Sequence, residues 1–150
     1  MVPQRELYCT TVTAAECNTG PCTPIGGLML TGVVIAESLH SDAQLDGKII
    51  SVARVRRVVV EEPADGQPLV WTLLEFEADE AEAEALAGQL TAGLDPTGAW
   101  YVDFHSADQS FIVFAGKILR YRRGDADGRR AAERYARSIG IPAAQLDWRE

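Results

Sequence analysis

A chain of 150 residues with 22 acidic and 14 basic side chains, and so a net charge of −8, is expected to form one domain. The acidic balance argues against nucleic acid and anionic membranes as partners, because both are bound largely through basic surfaces. No run approaches the ~20 apolar residues of a membrane-spanning helix, and MVPQRELYC has no apolar stretch behind a basic start, so the expected location is the cytoplasm.

Residues 1–27 are rich in Thr, Pro, Gly and Cys and show no period, so they read as an irregular leader ahead of a single α+β domain over 28–150. The leader holds all three cysteines, Cys9, Cys17 and Cys22. Their C-x7-C and C-x4-C spacings are looser than the close pairs of structural zinc sites, and a fourth ligand would have to come from His40, His105 or an acid. Reduced thiols are the simpler expectation, with no metal and no cofactor.

Leu28–Leu39 predicts a first strand, with apolar residues on both faces and a bulge at Gly32. Lys48–Glu62 predicts a long second strand, β-branched throughout. Simple alternation sets Arg54 and Arg56 on one face with Ile50, Val52, Val58 and Val60, which predicts either an exposed middle or a strand that twists and changes its partner there. Val70–Glu77 predicts a third strand. Asp79 then caps a helix over about Glu80–Leu94, whose stripe is Ala83, Leu86, Ala87, Leu90 and Leu94.

The block from Trp100 to Arg123 reads as two β-runs joined at Ala107-Asp108. That tip sets Phe104 opposite Phe111 and Val102 opposite Val113, giving an apolar face of Trp100, Val102, Phe104, Phe111, Val113 and Ala115. The other face carries Tyr101, Asp103, His105, Ser110, Ile112 and Phe114. Asp125 caps a second helix over Ala126–Ile139, Gly140 ends it, and Leu146 and Trp148 are expected to dock on the domain. The order is β-β-β-α-β-β-α. One antiparallel-rich sheet of about five strands, with both helices on one face, accounts for it in a partly ferredoxin-like arrangement.

Three groups of residues bear on chemistry. Tyr101, Asp103 and His105 alternate along one strand at roughly 7 Å between Cα atoms, so Asp103 is a candidate to orient His105 as a base or ligand. Any solvated strand face shows such alternation, however. Arg120, Arg122 and Arg123, followed by Arg129 and Arg130, gather near the start of the second helix and suit a small anion or an acidic partner. Asp125 and Asp127 stand among them and are expected to pair with some. The cysteines are the third group.

The block WYVDFHSADQSFIVFAGKILRYRRGD, with GIPAAQLDW downstream, resembles small α+β proteins of uncharacterised function from GC-rich, actinomycete-type bacteria. The resemblance spans roughly Leu28 to Trp148 and implies a bacterial origin and a compact single domain; it confers no activity. The expected function is a non-catalytic interaction module. It would bind a protein partner or form a homodimer through the semi-apolar face of Tyr101, Ile112 and Phe114. The alternative is a small-ligand binder or enzyme using Tyr101, Asp103 and His105 in a pocket between sheet and leader. A concave site floored by His105 distinguishes it from a flat face covered by a second copy.

Overall fold

The computed structural model describes residues 27–148; the three cysteines of the leader lie outside them. The strands are β1 (Met29–Ile35), β2 (Ile50–Val59), β3 (Val70–Asp79), β4 (Tyr101–His105), β5 (Gln109–Phe114) and β6 (Lys117–Arg122). They form one antiparallel sheet in the order β2-β3-β1-β4-β5-β6. Two helices complete it, α1 (Ala83–Gly93) and α2 (Ala126–Ser138). Among the described residues no helix is long and apolar enough to cross a membrane.

The β4–β5 register is the expected one, with Val102 opposite Val113 and Phe104 opposite Phe111. Phe104 and Phe111 stack with ring centres 4.7 Å apart. The sheet has six strands rather than about five, because the second β-run is itself a hairpin. It reverses at Ala115-Gly116, where Gly116 takes a φ of 72° that favours glycine. Apolar Ala115 continues the alternation and hides that turn in the sequence.

The two helices lie on opposite faces, not on one. α1 buries Leu86 and Leu90 against Val102, Phe104, Phe111 and Val113. α2 buries Ala132 and Ala136 against Ile112, Phe114 and Tyr121, on the other side. The reason lies in β5: Ser110 to Phe114 are all buried, so both faces of that strand need a cover. Ile141, Leu146 and Trp148 join the α2 layer, so the C-terminal segment docks as expected. Both expected caps form, although the start of the helix expected from Glu80 is a 3-10 turn, Glu80–Glu82, that precedes α1. Asp79 accepts from the Ala81 N–H at 2.9 Å, and Asp125 from those of Asp127 and Gly128 at 3.1 Å each.

Two irregularities differ from the sequence expectation. The bulge falls in β2, between Val52 and Arg54, and not at Gly32, whose register is continuous. The extra residue reverses the parity of the strand. Val52 lies beside Phe76 on the α1 face, whereas Arg54 lies beside Glu75 on the other. The face expected to join Ile50 and Val52 to the arginines is therefore split. Gly32 instead permits close packing: a Cβ there would stand 2.6 Å from the Phe104 Cβ and 2.7 Å from both the Asp103 carbonyl oxygen and the Phe76 ring.

Glu37, in the short turn after β1, ties that turn to β3 by accepting from the Thr72 N–H at 2.7 Å and the Thr72 hydroxyl at 2.8 Å. Burial acts to raise its pKa, but these bonds and the nearby Arg57 hold it below its usual value.

Gly32→Ala should lower stability by about 1–3 kcal/mol, the usual cost of overpacking a close contact. Urea denaturation midpoints would show this; an unchanged midpoint would mean that the crossing of β1 over Phe76 and Phe104 is looser than described.

Candidate functional site

On the α2 face, cover is uneven. α2 and the C-terminal segment lie over β4, β5 and β6, and among the described residues neither extends over the same face of β1, β3 and β2. The boundary is a cavity of about 730 Å3. Its floor is set by strand register. His105, Thr31 and Glu77 form one cross-strand row, and Asp103, Val33 and Glu75 form the next. Tyr101 follows on β4, beside the Ile35–Leu73 pair of β1 and β3, and Trp71 and Val58 lie beyond. Ala144, Gln145, Asp147 and Trp148 form a wall.

That wall is pinned by polar contacts. The Tyr101 hydroxyl donates to the Gln145 carbonyl oxygen. The Gln145 side-chain amide donates to Gln67 Oε1 at 3.1 Å and to the Glu62 carbonyl oxygen at 3.3 Å. Gln67 is buried and donates to the Gly98 carbonyl oxygen at 2.8 Å, so the β2–β3 connection, the loop before β4 and the C-terminal wall are held together. Trp148 packs edge-on against Tyr101 at 5.4 Å, and its Nε1 is buried with no hydrogen-bond partner among the described residues.

Of the expected trio, Tyr101, Asp103 and His105 all line the cavity. They do not form a relay. His105 Nε2 lies 3.3 Å from the Thr31 hydroxyl, and no hydrogen bond joins it to Asp103. Burial, and then the charge of Arg123, lower the His105 pKa, so the ring is mostly neutral at pH 7. Asp103 is half-buried by area with protein around most of its carboxyl group. Burial, reinforced by the carboxylate of Asp147, pushes its pKa up to about 6. Burial and the same two acids raise that of Tyr101, which stays a neutral phenol.

The charge in the cavity is one-sided. Among the described residues, Glu75, Glu77, Asp103 and Asp147 line it against the one guanidinium of Arg56. Arg56 is committed to Glu75 at 2.7 Å, and Arg54 approaches the same carboxylate at 3.5 Å. Asp103 and Asp147 have no ion-pair partner among the described residues.

The arginine run does not converge. Arg120 and Arg122 lie on the α1 face, opposite Phe111 and Gln109, and Arg120 pairs with Glu84. Arg123 donates to the Ser106 carbonyl oxygen at 3.3 Å. Arg129 and Arg130 sit on α2 and pair with Glu133, at 3.1 Å, and Asp127. Opposite placement of the helices separates these groups. His40 is engaged locally: its Nδ1 accepts from the Asp42 N–H, so Nε2 donates to the Ala92 carbonyl oxygen at 2.9 Å. No cluster of three His, Cys, Asp or Glu suited to a metal occurs among the described residues.

Sequence reading missed Asp147, Gln145 and Gln67. No motif marks them; their roles arise from a chain reversal after Gly140 that returns residues 144–148 to the sheet face. No protein-family model, curated protein or solved structure matches the chain.

Asp103 has a folded-state pKa above its unfolded value, so it costs nothing at low pH, where both states are protonated. The cost grows as pH rises through the interval between the two values and is complete once the folded carboxyl ionises, at about 2–3 kcal/mol. Asp103→Asn should therefore unfold at higher temperature than the parent at pH 8, with the gap closing at pH 4. A gap independent of pH would contradict the shifted carboxyl.

Proposed function

We propose that this protein is a small-ligand-binding module whose site is the cavity between the open half of the sheet and the C-terminal wall. The supporting observation is the cavity itself. Its volume of about 730 Å3 falls in the range of small-molecule sites. It combines partly buried apolar side chains with a few convergent polar groups, including the Asp103 carboxyl group, which has no basic partner among the described residues. Binding is favoured over catalysis because His105 reaches the Thr31 hydroxyl only at 3.3 Å and no carboxylate bonds its ring among the described residues to orient it as a base. An actinomycete-type bacterial source belongs to the same proposal.

The semi-apolar face of Tyr101, Ile112 and Phe114 gives no support to self-association. Ile112 and Phe114 are buried beneath α2, and Tyr101 beneath the C-terminal segment. A second reading, attachment to another copy of the chain, rests on a different surface. On the α1 face of the outer hairpin, Val52, Val55 and Val59 are 47%, 58% and 77% exposed, on a strand that is at the sheet edge among the described residues.

A fragment screen by NMR tests the ligand-binding reading. Hits should shift the amides of Val33, Leu73 and Asp103, and Leu73→Trp should abolish binding without unfolding the domain; hits that map elsewhere, or none, would count against it. Light scattering tests the second reading: a dimer that Val55→Lys converts to a monomer is expected, and a monomeric parent chain at high concentration would end it.

A further inference from the structure

The polarity of the cavity varies along the strands. At one end the floor is His105, Thr31 and Glu77; in the middle it is Asp103, Val33 and Glu75; at the other end it is Ile35, Leu73, Trp71 and Val58, with Arg56 opposite Leu73 and paired back to Glu75. A ligand lying along the strands thus meets a polar end and an apolar end. The charges decide the sign of its polar end. Among the described residues the cations near the cavity are engaged: Arg56 and Arg54 share Glu75, Arg123 donates to the Ser106 carbonyl oxygen, and His105 carries little charge at neutral pH, so acids outnumber bases along the lining. Asp103 and Asp147 both line the cavity, the charge of Asp147 acts on Asp103, and neither carboxylate has an ion-pair partner among the described residues. A positive group placed there relieves repulsion between the two acids and supplies hydrogen-bond donors to a carboxylate already removed from much of the solvent.

We propose that the cavity takes an amphipathic primary amine, its ammonium group between Asp103 and Asp147 and its apolar body against Val33, Ile35, Leu73 and Trp71. This rests on the ligand-binding reading above and specifies its ligand class. A primary ammonium fits better than a quaternary one, because only the former has N–H donors for two carboxylates. A metal ion fits less well, since the half-exposed apolar rows would stay uncovered and two monodentate acids are few ligands for a hard cation.

Three probes sharing one ring system test this on the full chain: tryptamine, neutral 3-methylindole and anionic indole-3-acetate, titrated against amide shifts. Tryptamine should bind with shifts at Val33, Leu73 and Asp103, about tenfold or more tighter than either analogue. Asp103→Asn, which relieves a buried charge and is expected to fold, should erase that preference and leave 3-methylindole unaffected. Asp147→Asn, at an exposed position, should reduce it. Equal or tighter binding of the neutral or anionic probe in the cavity overturns the amine class while sparing the site. Absence of tryptamine binding also overturns the amine class, and the fragment screen then decides the site separately.

Discussion

Two-sided burial of β5 is the constraint from which the rest of the architecture follows. Phe111 and Val113 point to one face and Ile112 and Phe114 to the other, and all four are nearly inaccessible. A strand apolar on both sides is stable in water only if both sides are covered. α1 covers one and α2 the other, each presenting small or aliphatic residues to the aromatic layer it meets. α2 is 13 residues long, and with the short segment after it covers only part of a six-stranded sheet. The cavity is the step at which that cover ends. Its existence and position thus follow from the same burial that fixes the helices.

Much of this was legible in the sequence. Period-2 counting from Trp100 to Phe114 predicts the observed β4–β5 register; Asp125 marks the start of α2, and Asp79 caps the short turn that leads into α1. What was not legible has particular causes. The Ala115-Gly116 reversal lacks the Asn-Gly or Asp-Gly signal of primed turns, so two strands read as one. The sides taken by the helices depend on burial of Ile112 and Phe114, whose signal is a continuous apolar run, SFIVF, that alternation alone assigns to a half-open face. The parity of β2 depends on a single bulge residue between Val52 and Arg54, for which the sequence carries no turn signal.

The site was half legible for a related reason. Alternation places Tyr101, Asp103 and His105 on one face, and that face does border the cavity. Alternation says nothing about what crosses from elsewhere in the chain. Asp147 reaches Asp103 across 44 positions of sequence, and Gln145 reaches Gln67 across 78. The neighbouring charge that acts on Asp103 is therefore that of Asp147, not that of the expected His105. The effect on chemistry is large: an acid beside histidine would be ionised and orienting, whereas an acid beside another acid is raised and in want of a cation. The arginines show the converse. They are adjacent in sequence, but distributed over both faces of the sheet and mostly paired.

A crystal structure of the full chain with tryptamine bound tests the central claim most directly. The account predicts the ammonium nitrogen within hydrogen-bonding distance of Asp103 and Asp147, and the indole over Leu73 and Val33. An indole bound in the reverse orientation, or density only outside the cavity, would contradict it.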